Sequence, residues 1–150
     1  MNKKIISVLI LLIVAVSISA ASASFLDGIF GSPKEENIGG VKFTIPAGFD
    51  EVSPKELGGD VFKQYKQEGY NITFKSYEND PDFYGIIVVD VHNKDFNKSM
   101  LDVNKTTIDG KNGTLEITKD YCDFVYLDPS DKLVFIASNN KENIETFLKA

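Results

Sequence analysis

From residue 41 onward the chain mixes short apolar runs with polar ones, and one stretch breaks the alternation. Phe83–His92 reads Phe-Tyr-Gly-Ile-Ile-Val-Val-Asp-Val-His, with four β-branched residues from Ile86 to Val89. A run this brief and this branched predicts a central strand covered on both faces. Val41, Phe43 and Ile45 alternate with Lys42 and Thr44, the pattern of a half-buried strand stopped by Pro46 and Gly48. Val61–Gln67 and Tyr70–Tyr77 predict two strands joined at Glu68-Gly69, and Glu78–Asp82 a turn. Thr106–Ile108 and Thr114–Thr118 predict a hairpin across Asp109-Gly110-Lys111-Asn112-Gly113, where Asp-Gly and Asn-Gly are both turn signals. Tyr121–Leu127 and Lys132–Ser138 flank a turn that holds Pro129.

Two segments change period. Phe96, Met100, Leu101 and Val103 fit one face of a helix over Asn93–Asn104, with Asp95 as its cap. Asn139 followed by Glu142 starts a closing helix whose buried stripe is Ile144, Phe147 and Leu148. Ser53-Pro54 opens a single helical turn ended by Gly58-Gly59. The sum predicts an α+β fold: an antiparallel, hairpin-connected sheet of about seven strands, with a mid-chain and a C-terminal helix packed on it.

The N-terminus is of another kind. Lys3 and Lys4 precede an apolar stretch from Ile5 to Ile18, and small residues follow through Ser24. This is the pattern of a secretory signal peptide over residues 1–23, cleaved after Ala23. An uncleaved anchor over residues 5–23 is the alternative, since about 20 residues span a bilayer. Either reading places the remainder outside the cytoplasm, secreted or at the cell surface. Residues 24–40 read as a lead-in and polar linker, and residues 41–150 as a single domain.

Charge and cysteine usage narrow the function classes. The full chain carries a net charge of −6 and no Arg; loss of Lys3 and Lys4 with the leader brings the charge to −8. Such a surface repels phosphate backbones, so no nucleic-acid partner is expected. Cys122 is the sole cysteine, so no internal disulfide forms, and its in-phase neighbours Phe124 and Tyr126 predict a buried thiol.

Candidate chemistry is sparse. His92 is the sole imidazole, and an alternating strand would put Asp90 beside it, with Cys122 approaching from a neighbouring strand. That trio is the one conceivable hydrolase or thiol-enzyme site. One His and one Cys do not build a zinc site. Glu78, Asp80 and Asp82 are weak calcium candidates without EF-hand spacing, as are Asp128 and Asp131, and no cofactor is expected. Asn71, Asn97, Asn104 and Asn112 each begin an Asn-x-Ser/Thr sequon, with Asn112 placed in a turn. Tyr65, Tyr70, Tyr77, Tyr84, Tyr121 and Tyr126 are candidates to line a ligand groove.

Phe43-Thr44-Ile45-Pro46-Ala47-Gly48-Phe49 and Thr107-Ile108-Asp109-Gly110-Lys111-Asn112-Gly113 resemble two motifs of small exported domains from methanogenic archaea. The order of elements over residues 40–150 is similar to a PsbP/Mog1-like α-β-α sandwich. The resemblance implies a fold and an address, and no catalytic residue set. The expectation is an exported, non-enzymatic accessory or binding domain. Its partner would be an envelope or extracellular component, with a membrane tether through the N-terminal segment if the leader stays.

Overall fold

The computed structural model describes residues 32–52, 66–92, 94–96, 98–101 and 105–148. Strands β1 (Lys34–Ile38) and β2 (Val41–Ile45) form an antiparallel hairpin by themselves. Seven more strands make one antiparallel sheet: β3 (Asp50–Glu51), β4 (Asn71–Asn79), β5 (Asp82–Asp90), β6 (Lys105–Ile108), β7 (Lys111–Ile117), β8 (Cys122–Asp128) and β9 (Lys132–Ser138). Their spatial order is β3-β4-β5-β9-β8-β7-β6. An eight-residue helix, α1 (Lys141–Leu148), follows β9.

β5 lies between β4 and β9, and Ile86, Ile87, Val88 and Val89 are each at most 2 % exposed. Burying four such side chains contributes roughly 1.5–3 kcal/mol apiece. Both faces of the sheet carry apolar layers. On one face Ile86, Val88, Phe124, Tyr126, Val134 and Ile136 meet Phe43 and Ile45 of β2 and Ile144 and Leu148 of α1. On the other, Ile87, Val89, Val125, Leu133 and Phe135 pack with Phe96 and Leu101 of the segment that crosses from β5 to β6.

The α+β expectation is overturned: the described residues are nearly all antiparallel sheet, in sets of seven and two strands. In place of the mid-chain helix stands a four-residue 3-10 turn, Lys98–Leu101. The segment is rich in Asn, Asp and Ser, which bond their own backbone and compete with helix formation. Phe96 and Leu101 are still apolar anchors, but of a crossing loop rather than of a helix face. The polar run after Ser32 is not a linker, because Lys34–Ile38 pairs along its whole length with β2. Lys66 and Gln67 are helical rather than extended, and the rest of the strand expected over Val61–Gln67 lies outside the described residues. So does the helical turn expected after Ser53.

Caps and turns also differ from the sequence reading. Asn140, not Asn139, caps α1, its Oδ1 accepting from the Glu142 amide at 3.0 Å. Asn139 instead clasps the β4–β5 turn: its Oδ1 accepts from Phe83 N and its Nδ2 donates to Pro81 O. The turn itself is only Asp80-Pro81, joined by a cis peptide bond.

Candidate functional site

Strand register decides which candidate residues can meet. Cys122 lies opposite Ser138, which lies opposite Tyr84, whereas Asp90 lies opposite Lys132, six residues further along β5. At a rise of about 3.3 Å per residue the two ends are roughly 20 Å apart. The trio of His92, Asp90 and Cys122 is therefore not assembled.

Cys122 is 3 % exposed, and its Sγ donates to Ser138 O at 3.4 Å. Burial, reinforced by Asp123, pushes the thiol up to about 11, so the nucleophilic thiolate is scarce at neutral pH. A maleimide reagent is expected to leave Cys122 unlabelled in the native protein and to react within minutes once urea unfolds it. Fast native labelling, followed by mass spectrometry, would contradict this placement.

His92 sits just past β5 and is 64 % exposed, with Nδ1 3.3 Å from Asp131 Oδ2. Its backbone amide donates to Asp90 Oδ1. Asp90 also pairs with Lys132, which holds its carboxyl below the usual range. Ser130, the residue before Asp131, donates its hydroxyl to Asp128 Oδ2. The cluster is a set of turn-stabilising bonds around Asp131, whose φ of 57° turns the chain between β8 and β9.

The calcium candidates sit at two turns, Glu78, Asp80 and Asp82 around the β4–β5 turn and Asp128 and Asp131 around the β8–β9 turn. Glu78 faces Phe83 across β4 and β5, Asp80 is in the turn, and Asp82 pairs with Asn79. Burial, then Asp80, raises the Glu78 carboxyl. Among the described residues no group of three His, Cys, Asp or Glu side chains is placed to hold an ion. Of the sequons, Asn71 is exposed at the start of β4 and Asn112 is exposed on β7; Asn97 and Asn104 lie outside the described residues. Asn112 is within the strand opposite Thr107 rather than in the turn, which is Asp109-Gly110. Among the described residues no tyrosine groove forms: Tyr77, Tyr84 and Tyr126 are core residues, and Lys94 covers the ring of Tyr70 at 4.8 Å, while Tyr65 lies outside the described residues.

Two features are absent from the sequence reading. The first is a cleft of about 600 Å³ beside the β6–β7 hairpin, lined by Leu101, Lys105, Thr106, Thr107, Asn112, Gly113 and Leu127. Thr107 Oγ1 donates to Asn112 Oδ1 at 2.7 Å, and Thr114 Oγ1 donates to Leu101 O at 3.0 Å, tying the crossing loop to β7. Its lining is mainly polar, with Leu101 and Leu127 as the apolar members. The second is Asp123, 3 % exposed on β8 opposite Glu116 and Ala137. Among the described residues its Oδ1 has no hydrogen-bond partner, and burial together with Glu116 pushes its carboxyl up to about 7. Only a buried strand, not a half-buried one, makes this position an interior one, and the alternation around Cys122 pointed the other way.

No helix among the described residues is long and apolar enough to cross a membrane. Comparison with family models, with characterised proteins and with solved structures finds no match, so function is argued from these sites.

Proposed function

We propose that this chain is an exported, non-enzymatic accessory or binding domain of the cell envelope or extracellular space. The observation that carries the reading is the separation of its reactive groups. An inert thiol at one end of the sheet and a solvated imidazole at the other, roughly 20 Å apart by strand rise, favour work by contact over bond-breaking. The leader pattern of residues 1–23 supports export, and the acidic surface supports a partner that is neither nucleic acid nor anionic lipid. A tether through residues 5–23 is the variant in which the leader is retained.

Cell fractionation with N-terminal sequencing tests the address. The expected outcome is a chain beginning at Ser24 in the medium or envelope wash; a chain beginning at Met1 in the membrane fraction supports the tether. Full-length protein in the cytosol would overturn both. The contact reading is tested separately by His92→Ala, which is expected to leave any envelope phenotype unchanged.

A further inference from the structure

Two of the four sequon asparagines stand on described strands, and they are held differently. Asn71 is exposed at the start of β4, and among the described residues its side chain has no hydrogen bond to fix it. Asn112 is exposed on β7 and is fixed: its Oδ1 accepts from Thr107 Oγ1 at 2.7 Å. An amide side chain has an accepting oxygen and a separate donating nitrogen, so the bond to Thr107 occupies only the first. Among the described residues Nδ2, the nitrogen to which an N-linked sugar attaches, has no partner. A sugar-bearing asparagine keeps its carbonyl oxygen, so the Thr107 bond and the modification are compatible.

Space is the second requirement. A Cβ on Gly113 would point at the Phe124 ring, in the apolar layer of one face. Alternation along β7 therefore puts Asn112 and Thr114 on the other face. There Asn112 borders the cleft of about 600 Å³, with Leu101, Thr107 and Leu127 around it. A sugar set into it meets polar groups with its hydroxyls and the two leucines with its C–H face. Thr114 completes the sequon, yet in the fold its hydroxyl donates to Leu101 O at 3.0 Å. A transferase that reads this hydroxyl reaches it only before the crossing loop closes on β7, so the sugar is added during export.

We propose that Asn112 carries an N-linked oligosaccharide whose first sugar lies in the cleft between Leu101 and Leu127. The donor is an oligosaccharide joined through C1 to the phosphate of a membrane lipid. Nδ2 attacks C1 and gives up a proton, the C1–O bond breaks, and the lipid phosphate leaves with the electron pair. Nothing is oxidised or reduced. The proposal rests on the export reading above, because only an exported chain meets such a donor, and it adds a bulky, solvated group to one face of the domain.

The test is mass spectrometry of the protein purified from the cells that make it. Trypsin cuts after Lys111 and Lys119, so the peptide Asn112–Lys119 contains this sequon and no other. The expected result is sugar mass on that peptide, lost in Asn112→Gln and Thr114→Val and kept in Thr114→Ser. A melting curve shows whether each variant folds, and if Thr114→Val does not, Asn112→Gln decides. The seat is read by amide exchange against the same sequence made in a host without such a transferase. Exchange at Thr107 and Leu127 is expected to be slower by about threefold or more in the sugar-bearing protein. Bare Asn112 in an exported chain, cleaved or tethered, overturns the proposal and leaves the export reading standing. Bare Asn112 in a cytosolic chain that begins at Met1 overturns both. A sugar on Asn112 with unchanged exchange overturns its seat in the cleft.

Discussion

Changing Asp123 to Asn is expected to raise the melting temperature by several degrees at pH 8 and by about half as much at pH 5. The folded carboxyl titrates at about 7, against an ordinary 3.8, because it is buried and faces Glu116 across the β7–β8 ladder. An acid whose folded pKa is raised binds its proton more tightly in the native state. Its contribution is therefore complete below the unfolded value and is lost as pH rises through about 7. Three pKa units correspond to roughly 4 kcal/mol at most. Asp90 works in the opposite sense: held low by Lys132, it stabilises at neutral pH and stops doing so as acid protonates it. Stability is thus expected to peak in mild acid and to decline toward pH 8, and Asn, the neutral isostere, removes the alkaline decline. Thermal melts of both proteins from pH 4 to 9 decide the matter. Equal slopes above pH 5 would show that Asp123 is ionised and satisfied in the native fold.

The second large effect is at Gly113, where a single methyl group is expected to cost about 3 kcal/mol or more. A Cβ there would stand 2.2 Å from Val125 O and 2.8 Å from the Phe124 ring. The nearer obstacle is backbone of the adjoining strand, so no rotamer change relieves it, and β7 would have to part from β8. Gly113→Ala is expected to lower the urea midpoint by roughly 1–3 M, since small domains lose about 1–3 kcal/mol per molar urea. Gly110→Ala is the contrast, because nothing lies within 4 Å of its Cβ and only its φ of 73° resists substitution, at a cost of about 1–2 kcal/mol. If the two variants unfold at the same midpoint, the close approach at Gly113 is not what limits that position.

Gly113 also shows where the sequence was legible and where it was not. Two turn dipeptides stand three residues apart, Asp109-Gly110 and Asn112-Gly113, and pattern alone does not choose between them. The chain turns at the first, which lays Gly113 against Phe124 and places Ile108 in the core. Strands β2, β8 and β9 were legible because alternation or dense branching marked them. β1 was not, since Lys34–Asn37 is polar and is a strand only by pairing with β2. The mid-chain helix failed because Phe96 and Leu101 serve as anchors of a loop that must cross the sheet, which imitates helical spacing. The candidate site was not legible at all. Leu101, Lys105, Thr107, Gly113 and Leu127 form no motif, and only the pairing of β6, β7 and β8 brings them round one cleft. Asp123 was hidden by the assumption that β8 has one wet face, when apolar layers cover both.

The pairing of β5 with β9 joins segments more than forty residues apart in sequence. A polypeptide delivered amino end first would hold its buried branched run, Ile86–Val89, without a neighbour on one side until the last strand, β9, emerged. Late, non-local zippering of this kind is slow and leaves sticky intermediates exposed. Such a chain has reason to depend on a holding chaperone until β9 is available, and a truncation that removed Lys132–Ser138 would convert its spine into a nucleus for clumping.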